Sequence, residues 1–146
     1  MLAQTDEKMP VAVDEPTPLP PERPEPDNLD PEMNLFDEAK FAAQDGNLDD
    51  ALRLYGRYLN GYPQGRMTDE AELSTLKILA EMGHHREVAV LASRLAANPD
   101  LSDRRGQLLH VQAQALAALG ECDEALAIAD TLDRKLVSDV RKVCRK

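Results

Sequence analysis

The chain has 146 residues and a net charge of -10, with 42% hydrophobic residues but only 3% aromatics and no Trp. That length holds one core, and an apolar content made mainly of Leu, Ala and Val favours close-packed helices over a β-sandwich, whose strands want β-branched and aromatic residues. The acidic balance argues against nucleic acid or an anionic membrane as the main partner, because both require a basic face that displaces counterions.

Eight of the ten prolines fall between Pro10 and Pro31, alternating with Asp and Glu. Residues 1 to 34 also hold nine carboxylates against Lys8 and Arg23, which leaves the rest of the chain with a net charge of only -3. Such a segment has too little apolar surface to offset its ordering entropy, so residues 1–32 are expected to form a disordered acidic leader with polyproline II character. Within it, Pro18, Pro21 and Arg23 match a Pro-x-x-Pro-x-Arg pattern that SH3-type domains bind, a spacing that Pro-rich spacers also produce by chance. No stretch approaches the roughly 18 apolar residues that span a bilayer, and residues 1 to 13 lack the basic start and apolar centre of a secretory signal. The chain as written therefore reads as soluble and cytoplasmic, without direct membrane contact. If Met1 begins a chain trimmed of a signal or anchor, a periplasmic or otherwise extracytoplasmic place is expected instead.

From residue 33 the pattern turns helical, and an internal repeat emerges: Gly46, Gly83 and Gly120 stand 37 residues apart in equivalent settings. Each follows an apolar helical stretch and precedes another, as a helix hairpin does when Gly takes the left-handed conformation at the first helix's end. Three hairpins follow: 33–45 with 48–61, 67–82 with 85–97, and 104–119 with 122–133. A short helix at 136–145 is expected to cap the stack, with Leu136, Val140 and Val143 inward and Lys135, Arg141, Lys142, Arg145 and Lys146 outward. Thr68 and Ser102 read as N-caps, and Pro63 and Pro99 lie where a preceding helix stops. The fold class is all-α, with residues 33–146 as one repeat domain; strand patterns are absent.

These residues resemble the tetratricopeptide repeat family. Ala39, Gly46, Leu48, Ala51, Tyr55 and Pro63 occupy the family's places in the first hairpin, and Ala113, Leu116, Gly120, Ala125 and Leu132 fit in the third. The second departs, with Leu76, Val88 and Ala92, and the period is 37 where the family's is usually 34. A looser resemblance is to repeat regions of bacterial envelope proteins and of membrane-bound anti-sigma regulators, through Tyr62-Pro63-Gln64-Gly65 and the Gly120 to Ala125 turn. The resemblance implies an α-solenoid whose first helices line a concave groove at Phe36, Lys40, Ala43, Leu73, Lys77, Ala80, His110, Gln114 and Ala117. That groove suits a helix or extended peptide with apolar anchors and some acidity. It implies a scaffold or adaptor with a protein or peptide partner, the alternatives being a structural envelope subunit or a regulatory appendage of an anti-sigma-type regulator. Phe36 and Leu73 also read as plain core positions.

If the helix from 122 turns near 134 and returns antiparallel, Cys122 and Cys144 come face to face. A disulfide between them implies an oxidising compartment such as a periplasm; two reduced cysteines packed as small apolar residues are the alternative. Two cysteines without a nearby His make no metal site, and His84 and His85 in a turn cannot chelate as an i, i+4 pair does. No phosphate loop, nucleophile elbow or Cys-His pair is present, so neither cofactor nor catalysis is expected. Asp49, Asp50, Asp123 and Glu124 lie in first helical turns, where the macrodipole stabilises negative charge.

Overall fold

The computed structural model describes residues 30–145, so the leader's expected disorder and its Pro18, Pro21, Arg23 pattern lie outside the described residues. Among the described residues seven α-helices follow one another: α1 Pro31–Gln44, α2 Leu48–Gly61, α3 Thr68–Glu81, α4 His85–Ala96, α5 Arg105–Ala118, α6 Cys122–Ala129 and α7 Ser138–Cys144. A short 3-10 helix, Pro99–Arg104, leads into α5, and there is no strand among the described residues. Consecutive helices pack against one another, and α5 also touches α7, giving three stacked hairpins with a terminal helix.

The three glycines turn the chain in the same way. Gly46, Gly83 and Gly120 have φ of 84, 77 and 81°. In each turn the glycine N–H bonds the carbonyl three residues back, at Ala43, Ala80 and Ala117. The next residue's N–H reaches five back, to Ala42, Leu79 and Leu116. This is the Schellman arrangement, which closes the orphan carbonyls at a helix end and needs a residue free of the left-handed penalty at that place.

The 37-residue register also runs through the core. Ala39, Leu76 and Ala113 are buried, as are Ala51, Val88 and Ala125, and Tyr55, Ala92 and Ala129. In the first and third hairpins, alanines let the helices approach closely. Leu76 and Val88 stand there in the middle hairpin, and α3 and α4 touch less closely than the helices of the other two. Apolar packing divides into an aromatic cluster around Phe36, Tyr55 and Tyr58 and a larger aliphatic one from Leu76 to Val140, with Leu52 packed against both.

Several boundaries differ from the sequence reading. Helix α1 starts at Pro31, not 33, because Asp30 caps it by accepting the Met33 N–H (3.2 Å) and proline suits the first helical position. Thr68 is inside α3, and its hydroxyl donates to the Tyr62 carbonyl (3.1 Å) instead of capping. Ser102 lies within the 3-10 helix, which Asn98 caps by accepting the Asp100 N–H. Helix α6 stops at Ala129, four residues early, where Thr131 bonds the Ile128 carbonyl. Because α7 begins only at Ser138, its inward residues are Val137 and Val140. Leu136 is 37% exposed, Val143 is 52% exposed, and Arg141 is half-buried against the Ala129 carbonyl and Asp130.

Candidate functional site

On α1, residues 40, 43 and 44 share one face; on α3, 74, 77, 78 and 81 do the same. Where these faces meet, beside α2, lies an open concavity of about 240 Å³ lined by Lys40, Ala43, Gln44, Leu48, Tyr55, Ser74, Lys77, Ile78 and Glu81. Both lysines are exposed and Tyr55 and Ile78 are buried, so an apolar floor lies beneath a rim of two ammonium groups, with Glu81 one turn from Lys77 on the same face. Neither lysine forms an ion pair among the described residues. The volume suits one or two side chains and falls below the roughly 300–1,000 Å³ of small-molecule sites.

Of the nine expected groove residues, Lys40, Ala43 and Lys77 thus come together, and Ala80 is exposed on the same helix as Lys77. The others are placed differently. Phe36 is core, 6% exposed and edge-on to Tyr55 (5.9 Å) and Tyr58 (5.7 Å). Leu73 is half-buried against the aliphatic cluster, and Ala117 is buried. His110 and Gln114 are taken by the chain itself. The Asp139 carboxylate of α7 meets His110 Nε2 at 3.0 Å and accepts from Gln114 Nε2 at 2.6 Å. Burial pushes the Asp139 carboxyl up, but Gln114, His110 and the Val140 N–H outweigh it and hold the group below its ordinary range.

The densest polar cluster was not read from the sequence. Glu32, in the first turn of α1, accepts from the Tyr58 hydroxyl (2.6 Å) and from the Arg66 N–H (2.7 Å). The same hydroxyl accepts the Met67 N–H (2.9 Å), and the Arg66 guanidinium bridges both oxygens of Asp30 at 2.8–2.9 Å. Gly65 permits the approach: a Cβ there would lie 2.7 Å from the Tyr58 hydroxyl and 2.9 Å from Tyr62 Cβ, and would strike the Glu32 carboxylate. The Tyr62-Pro63-Gln64-Gly65 junction is therefore where the α2–α3 loop clamps the start of α1. Tyr58 hydrogen-bonding, then the Arg66 N–H, holds Glu32 below the usual carboxylate range; the Arg66 guanidinium, then the Met33 N–H, does so for Asp30. Burial, then the Glu32 carboxylate, pushes the Tyr58 phenol up, and Asp30 raises Arg66.

At the other end, the Sγ atoms of Cys122 and Cys144 lie at disulfide bonding distance, with Cα atoms 5.3 Å apart. This pair joins the start of α6 to the end of α7, as the antiparallel return predicts. His84 is exposed in its turn with Nδ1 2.9 Å from the Glu87 carboxylate. Among the described residues no group of three metal-binding side chains gathers, and no helix is long and apolar enough to cross a membrane. Comparison with known proteins finds no match: no family model, curated protein or solved structure aligns with the chain.

Proposed function

We propose that the chain is a protein-interaction module of tetratricopeptide-like build, acting by binding and without catalysis or cofactor. It docks a peptide or protein segment that sets an apolar side chain on Tyr55 and Ile78 and a carboxylate near Lys40 and Lys77. The observation that carries this reading is that two exposed lysines from different hairpins, neither ion-paired among the described residues, rim one concavity with a buried apolar floor. Helix-in-groove and extended-peptide recognition use that combination of anchor and charge. The shared register of buried positions supports the repeat reading, and the Cys122–Cys144 pair fits an extracytoplasmic compartment such as a periplasm.

The test takes peptides selected from a random display library on the full-length chain. Changing Lys40→Glu together with Lys77→Glu should weaken their binding at least tenfold in calorimetry, with the helical circular-dichroism signal unchanged. Equal affinity for both proteins would refute the site. A second reading, a subunit of a larger assembly, draws on Leu136 and Val143, both exposed at the C-terminal end of the stack. It expects a single stoichiometric complex that tolerates the lysine changes and is lost with Val143→Asp.

A further inference from the structure

With seven residues, α7 is the shortest α-helix among the described residues. Its buried side chains are only Val137, at its entrance, and Val140, whereas α4 buries six. A helix this short has no stability of its own in water and depends on what it docks against. Its polar ties are exposed on one side, Asp139 being 49% and Asp130 62% exposed, and such pairs contribute little. The remaining tie is Cys122–Cys144, which joins the far end of α7 to the start of α6 across 22 residues. What α7 covers is specific: its Asp139 occupies His110 and Gln114 of α5, and Gln114 stands one 37-residue step beyond Lys77 and two beyond Lys40.

We propose that α7 is a redox latch over α5. A dithiol reductant passes two electrons and two protons to the Cys122–Cys144 bond, which breaks into two thiols while the donor closes its own disulfide. Both cysteines are half-buried, so the bond is within reach of such a donor. Reduction frees the end of α7, local opening of this short helix becomes easy, and Asp139 leaves His110 and Gln114. Oxidation reverses the step. The use of this movement rests on the binding reading above: an acidic side chain of the partner takes the place of Asp139, so the reduced chain offers a longer docking line than the oxidised one. The movement itself does not need a partner.

Hydrogen exchange on the full chain at neutral pH, with and without a dithiol reductant, tests the movement. Amides of residues 138–145 should exchange at least tenfold faster on reduction, with α1 to α4 unchanged. His110 should become severalfold more reactive to an imidazole-acylating reagent, while the exposed His84 and His85 stay as they were. A chain carrying Cys122→Ser and Cys144→Ser should behave as the reduced form without any reductant. Unchanged protection of α7, or loss of protection in all helices together, overturns the latch; the second outcome would make the bond a staple for the whole stack.

Discussion

The two ends of the stack are closed by different chemistry. At the first hairpin, Phe36, Tyr55 and Tyr58 pack edge to face, and the Glu32, Tyr58, Arg66 and Asp30 cluster ties α1 to the α2–α3 loop by hydrogen bonds and charge. At the third, alanines, leucines and valines fill the core without an aromatic, and a sulfur pair holds the last helix. The aromatic end gains large buried area and a reciprocal polar network, so it requires no covalent tie. The alanine-rich end buries less per residue, and closing a 22-residue separation covalently adds about 3 kcal/mol in the loop-entropy account. An end helix of the stack is thus retained either by what it buries or by what it is bonded to, and the described residues show one solution at each end.

Three measurements sharpen that contrast. The largest effect is expected from Tyr58→Ala, which empties a fully buried aromatic site and unbonds Glu32 and the Met67 N–H. It should cost about 3–5 kcal/mol in denaturant unfolding. A loss below about 0.5 kcal/mol, the range of ordinary surface changes, would break the claim that this residue closes the N-terminal end. Next, Gly65→Ala forces a Cβ into the clamp and should cost about 1–3 kcal/mol, as overpacking does. Gly61→Ala, where a Cβ meets open space at the end of α2, is the control and should change little.

The smallest effect concerns pH. The fold holds Asp30 and Glu32 below their ordinary values. Their contribution is therefore complete above the usual carboxylate range and disappears as the pH falls through the depressed values. Tyr58 is raised, so its contribution is complete below its ordinary value of about 10 and is lost as the pH climbs through the raised one. Asp139 gives the other end an acid dependence of the same sign. Unfolding measured from neutral pH downward should thus show a weaker acid slope in Glu32→Gln, while reductant leaves the clamp's share untouched. An identical slope in the variant would remove Glu32 from the clamp.

What was legible in the sequence was local or periodic. The glycines at 37-residue spacing declare the hairpin turns because a left-handed residue after a helix depends on its immediate neighbours alone. The cysteine pairing was legible because a helix that turns and returns brings its start beside its successor's end. Tyr58 and Glu32, 26 residues apart, carry no such signature, and only the packed loop shows that they meet. The inward face of α7 differs for a related reason: eight residues, 130–137, connect α6 to α7 where the periodicity predicts two, and the helix docks with Val137, Val140 and Cys144 toward the core. For the candidate groove, the 37-residue register assigns Lys40, Lys77 and Gln114 to equivalent positions. It does not tell which are exposed, because Phe36 is drawn into the aromatic cluster while Lys40, one turn on, faces solvent.

The aromatic asymmetry has a practical corollary for spectroscopy. Phe36, Phe41, Tyr55, Tyr58 and Tyr62 are all the aromatic residues of the chain, and none lies beyond residue 62. Tyrosine fluorescence therefore reports on the first hairpin and its junction alone. Opening of α7 would pass unseen by it, and a tryptophan placed near residue 143 would give the silent end a voice of its own.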